Sequence, residues 1–209
     1  MHRVTEEIFF ANEWRDGEFA KFRTNQNGVD ERLWCRMCIP MLYAHWEGYV
    51  VSSLRILIEH LNNLELSTSA VKTKMVVIGF GDSFRTLSGK QSFEQRSAFI
   101  EKFRALLSSS LRIANRIDTK SNLKSDVLAD ICGMYGFDFK LFSGVVGDIN
   151  RLVQVRNSIA HGENSFVIDQ INIEKYAASI IAAMDIFRDE IDSFLDREAY
   201  LIDSAANIS

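Results

Sequence analysis

The chain has 209 residues, 47% of them hydrophobic and 25% charged, which is enough apolar material to bury a sizeable core and too much for a disordered chain. With 24 Lys plus Arg against 28 Asp plus Glu the net charge is -4, which excludes the overall basic field of a non-specific nucleic-acid coat, so any RNA contact has to be local. No apolar run approaches the about 18 to 20 residues that span a bilayer, no signal-peptide core follows the N-terminus, and an odd cysteine count makes no disulfide framework; a cytoplasmic protein with no membrane partner is expected.

A single proline and long stretches with apolar residues recurring at three and four predict an all-α class. A first helix is expected over residues 4 to 22, carrying Ile8, Phe9, Phe19 and Phe22, with the turn-like stretch Thr24-Asn25-Gln26-Asn27-Gly28 ending it. A long element then runs from Asp30 to Asn62, with Leu33, Met37, Met41, Ala44, Val51, Leu54 and Ile58 as its stripe, and Pro40 should kink it or start a new helix. Cys35 and Cys38 form a C-x-x-C, but no second pair stands at metal-ligand spacing, so both read as thiols on a helix; no metal or cofactor is expected.

Residues 66 to 91 read as an insertion: the β-branched run Val76-Val77-Ile78, followed by Gly79, Gly81, Ser83, Ser88 and Gly89, predicts a short strand or an irregular segment. Helical pattern resumes over 93 to 117, and a further helix should begin near Ser121-Asn122, with Asp126 in its first turn. The next spans 139 to 161 and stops at Gly162. After a polar stretch with an extended piece at 166 to 171, a C-terminal helix over 172 to 201 packs on the rest; without repeats or linkers, the helices should form one bundle over 1 to 209.

The chemistry concentrates in Arg156-Asn157-Ser158-Ile159-Ala160-His161-Gly162. At about 100 degrees per residue, Ile149, Leu152, Val153, Ile159 and Ala160 fall in a narrow arc centred on Arg156, so a permanent charge sits on an apolar stripe. An unpaired buried guanidinium is too costly, and Arg156 must meet a carboxylate, a ligand phosphate or an interface opening. Asn150, Asn157 and His161 share the neighbouring flank, and His161 ends its helix, where the dipole favours an imidazolium suited to proton transfer. On the residues alone a second reading stands beside this one: Arg156 pairs with a buried glutamate and His161 caps its helix.

Glu47, flanked by Tyr43, Val50, Val51 and Leu54 on its helix, should be half-buried and in need of a cation; Arg156 is the expected partner, and a surface glutamate paired with a Lys or Arg elsewhere is the other reading. His45, Trp46, Tyr43 and Tyr49 read as core first and as a base-stacking platform second. Lys120, Lys124 and Arg151 are the cations that would contact phosphate, unless they are simply solvated. No glycine-rich phosphate loop, paired acidic metal site or nucleophile elbow is present, which argues against NTPase, two-metal nuclease and hydrolase chemistry.

The segment R-N-S-I-A-H-G resembles the signature of HEPN domains (higher eukaryotes and prokaryotes nucleotide-binding): an arginine and a histidine four to six residues apart, with a polar residue directly after the arginine. Pro40-Met41-Leu42-Tyr43-Ala44-His45-Trp46-Glu47-Gly48-Tyr49-Val50 and Ser121-Asn122-Leu123 are similar to two further segments of one bacterial HEPN-like nuclease branch, in the same order. The resemblance implies a compact helical bundle that dimerises so that two motifs face one another and form a composite RNase site needing no metal. Arg156, Asn157 and His161 would be catalytic, with Glu47 in support. The implied partners are an RNA substrate, a second copy of the chain and an antitoxin or other defence protein. Some HEPN domains are inactive binding modules, and that alternative stays open.

Overall fold

A computed structural model describes residues 2–24, 28–81 and 91–202. It is all-α: α1 (Arg3–Asn12), α2 (Trp14–Thr24), α3 (Glu31–Asn63), α4 (Thr73–Phe80), α5 (Phe93–Leu107), α6 (Ser125–Tyr135), α7 (Val146–Ala160) and α8 (Gln170–Asp196), with a 3-10 turn at Phe139–Gly144 leading into α7. Among the described residues the only β pairing is two isolated antiparallel bridges, Ser67 with Ser110 and Val71 with Leu201. The long α3 is the axis: it packs most broadly on α8 and further on α1 and α7, while α7 also lies against α8. Buried apolar residues from Val4 to Tyr200 join into one core cluster, with Leu42, Trp46, Leu54, Leu152, Ile180 and Phe187 fully enclosed. None of the helices is long and apolar enough to cross a membrane, among the residues described.

Local chemistry explains most boundaries. The Asp30 carboxylate accepts the Leu33 N–H and starts α3, Ser92 and Gln95 form a reciprocal capping box at α5, and Asp169 accepts from Asn172 at α8. Pro40 starts no new helix. α3 runs through it as one element because Cys38, Ile39, Leu42 and Tyr43 around it are all held in the core.

Several expectations are corrected. The single helix over 4 to 22 is two, broken at Glu13, because Asn12 is buried and uses its side chain to bond Ile8 O, Arg15 Nε and Ser52 Oγ. Asn25, Gln26 and Asn27 lie outside the described residues. The α3 stripe holds only in its second half: Leu54 and Ile58 are buried, but Leu33, Met37, Met41 and Ala44 are exposed, and Cys35, Cys38, Ile39, Leu42, Tyr43 and Trp46 face the core instead.

The β-branched run at 76 to 78 is helical, not a strand: it forms α4, which buries Met75 and Phe80. Gly79 lets α4 approach the following segment closely: a Cβ would stand 2.8 Å from Leu111 Cδ1 and 3.3 Å from Arg112 O. Residues 82–90 lie outside the described part. The helix expected over 93 to 117 stops at Leu107, and the one expected at 121 begins at Ser125, where Asn150 Oδ1 of α7 accepts the Ser125 N–H at 2.8 Å. No strand forms over 166 to 171, and α8 ends at Asp196. The three cysteines are free and buried, and burial pushes the Cys38 thiol up to about 11. No group of three or more metal-ligating side chains occurs among the described residues.

Candidate active site

The three sequence segments singled out above interlock in space. Tyr43 and Trp46 of α3 grip the loop before α6: the Tyr43 hydroxyl accepts the Leu123 N–H at 3.0 Å, and Trp46 Nε1 donates to Leu123 O at 3.1 Å. From the other side, α7 holds the same loop through Asn157 Nδ2, which donates to Asn122 Oδ1 at 3.1 Å, and through the pair of bonds between Asn150 and Ser125. Within the loop Lys120 and Ser121 have φ values of 54 and 48, two consecutive non-glycine residues in the left-handed region. That conformation costs roughly 1 to 2 kcal/mol per residue, and it persists because the surrounding bonds over-determine it.

Arg156 is half-buried where these segments meet. Its guanidinium carbon lies 4.3 Å from the centroid of the Tyr43 ring, and Nη1 donates to Ser121 O at 3.4 Å and to Asn157 Oδ1 at 3.0 Å. Arg156 forms no ion pair within 4.0 Å among the described residues, so the expected contact with Glu47 is absent. Glu47 acts one residue removed: its Oε1 accepts the Tyr43 hydroxyl at 2.9 Å and also the Thr119 hydroxyl. Burial, reinforced by the Glu47 carboxylate, holds the Tyr43 hydroxyl above the ordinary tyrosine range, so it remains a protonated donor. The cation therefore rests on a ring whose orientation is fixed by a carboxylate, and keeps its positive charge available.

His161 is the residue after α7. Its backbone N–H returns to Asn157 O, Gly162 takes φ 75 and Glu163 N–H bonds Ser158 O at 2.9 Å, which closes the helix end. The imidazole is exposed and makes no hydrogen bond among the described residues. The Asn157 amide is turned to Arg156 and Asn122 and makes no hydrogen bond to the His161 imidazole. Beside Asn157 opens a groove of about 440 Å³ lined by Asn122, Lys124, Ser125, Asn150 and Gln154.

Other expectations sort cleanly. Tyr43, His45, Trp46 and Tyr49 are all buried, so none offers a free face to a base. His45 instead sits among Phe19, Phe22 and Trp14, with Nδ1 3.3 Å from Arg15 Nη1 and Nε2 3.1 Å from Glu18. Lys120 and Lys124 stand in exposed ion pairs with Asp130 and Asp126, and Arg151 lies over the Phe166 ring and bonds Gln154. Sequence reasoning missed Tyr43 as the seat of Arg156, Thr119 and Asn122 as supports, and Arg32, Arg36 and Asn164, which meet just beyond His161. The four-residue spacing of Tyr43 and Glu47 was a usable signal for the first of these. The Lys120-Ser121 turn carries no glycine and announces nothing in the sequence.

The model of the RiboL-PSP-HEPN family matches residues 11–193, most of the chain and every part of the interlocked site, and the chain belongs to that family. It is thus a HEPN-domain protein of helical architecture. No curated protein and no solved structure matches it.

Proposed function

We propose that the protein is a metal-independent endoribonuclease whose site is completed when two chains bring their Arg156 and His161 residues together. The observation that carries this reading is the seating of Arg156: a guanidinium braced by Tyr43, Ser121 O and Asn157, left without a carboxylate, one helical turn before an exposed histidine. Such a fork is suited to two phosphate oxygens and to the charge that builds on them in the transition state.

Strand cleavage by internal attack needs one group to take the 2'-hydroxyl proton as the P–O bond to the 2'-oxygen forms, and another to protonate the departing 5'-oxygen. The motif contributes one histidine per chain. Two copies supply base and acid, which leaves a 2',3'-cyclic phosphate and a 5'-hydroxyl. Asn157 holds the guanidinium in place and Glu47 acts through Tyr43; both are positioning residues in this scheme. The biological setting that fits an RNA-cutting HEPN protein is a toxin or antiphage effector, held in check by an antitoxin or other partner.

Purified protein incubated with pooled cellular RNA in EDTA tests the proposal. Cleavage by the wild type but not by His161→Ala, with 2',3'-cyclic ends, is the expected result. Intact RNA in both, in chains shown to be dimeric, would exclude a constitutive nuclease and leave the non-catalytic binding module or an enzyme silent until a partner releases it.

A further inference from the structure

The cations that a strand of RNA could meet near Arg156 are few, because Lys120 and Lys124 are already paired with Asp130 and Asp126. Arg32 and Arg36 differ. They stand one turn apart on α3 and converge on a single carbonyl oxygen: Arg32 Nη2 donates to Asn164 Oδ1 at 2.8 Å and Arg36 Nη1 to the same atom at 3.2 Å, while Arg36 Nη2 donates to Glu163 O at 2.9 Å. Neither forms an ion pair among the described residues, and the nearby Glu163 carboxylate accepts from Ser165 Oγ instead. Like charges four residues apart on a helix repel, and one neutral oxygen does not cancel them, so this pair is short of an anion.

Its position gives the anion an identity. Glu163 and Asn164 follow His161 by two and three residues. Arg36 also precedes Tyr43, the seat of Arg156, by two helical turns, which is about 10 Å along α3 on the same face. We infer that Arg32 and Arg36 form a second phosphate subsite, holding a backbone phosphate of the RNA strand next to the one that Arg156 takes, on the His161 side. The inference rests on the ribonuclease reading and names the track by which an acidic protein, net charge -4, grips a polyanion locally.

Binding of a single-stranded RNA to the full chain carrying His161→Ala, measured against salt concentration, tests it. In that background Arg32→Gln with Arg36→Gln, which keeps donors for Asn164 but removes both charges, should make the slope of log K against log salt shallower by about 0.7, the value for one single-strand phosphate contact. Arg32→Lys with Arg36→Lys should keep most of the slope, and Asn164→Ala should leave it unchanged because both charges remain. All three should melt with the parent. An unchanged slope in the Gln pair overturns the subsite, as does an equal loss from Asn164→Ala, which would make the arginines a loop clamp only. In either case intact cleavage by the wild type leaves the ribonuclease reading standing. Absence of RNA binding by the His161→Ala parent, together with absence of cleavage by the wild type, would remove both.

Discussion

The guanidinium of Arg156 lies 4.3 Å from the ring centroid of Tyr43, and that one contact joins α7 to α3 at the point where the chemistry is proposed. The Tyr43 ring gives the cation an electron-rich face, and its hydroxyl is fixed between Leu123 N–H and Glu47. Tyr43→Phe should therefore separate two roles. It keeps the ring under Arg156 but strands a buried N–H and cuts the link to Glu47, at a cost of about 1 to 3 kcal/mol in urea unfolding, with cleavage lowered but not abolished. Tyr43→Leu should lose stability and activity together.

His161→Ala should behave in the opposite way. The imidazole is exposed, so unfolding should shift by less than about 0.5 kcal/mol, while RNA cleavage falls by about 100-fold to 10,000-fold. A large loss of stability would mean that the histidine is a structural cap.

Asn157→Ala should lower kcat more than it raises KM, because the amide braces Arg156 and does not reach His161. Combining it with Asn122→Ala gives a double-mutant cycle for the Asn157–Asn122 bond. A coupling of about 0.5 kcal/mol or more is expected, and additivity would show that the loop is held without it.

Stability should also depend on pH through His45. Burial and the facing Arg15 charge hold its pKa below the ordinary value, against the opposing pull of Glu18. Its contacts are those of a neutral ring, with Nδ1 accepting from Arg15 and Nε2 donating to Glu18. The unfolded chain then takes up a proton more readily than the folded one. This contribution is complete above about pH 6.5 and is lost as pH falls below it, with a slope of at most about 1.4 kcal/mol per unit. Melting curves from pH 7.5 to 5 should show the loss, and His45→Gln should flatten it.

How much of this was legible follows from the kind of signal each part leaves. The helix starts near Asp30 and Phe93 and the stop at Gly162 rest on local bonds and were legible, whereas the start expected at Ser121-Asn122 fell at Ser125, where α7 supplies the partner. The burial pattern of α3 was not, because apolar residues occupy both its core face and the outer row of Leu33, Met37 and Met41, so periodicity had two answers. The helix at 73 to 80 was hidden by β-branched residues whose tertiary contacts overrode their preference. At the site, Arg156 and His161 were named by their spacing, but Glu47 was assigned the wrong neighbour. Its true partners, Tyr43 and Thr119, include one that is 72 positions away in sequence.

The gripped loop at 119 to 125 also limits how far the motif can travel. The seven residues from Arg156 to Gly162 contain the proposed reacting groups but not the seat for the guanidinium, which comes from α3 and from a left-handed turn in a loop held by Tyr43, Trp46, Asn150 and Asn157. Grafted alone onto another helical scaffold, the segment would carry a loose arginine. Portability belongs to the three-part unit, and redesign of any one part has to move the other two with it.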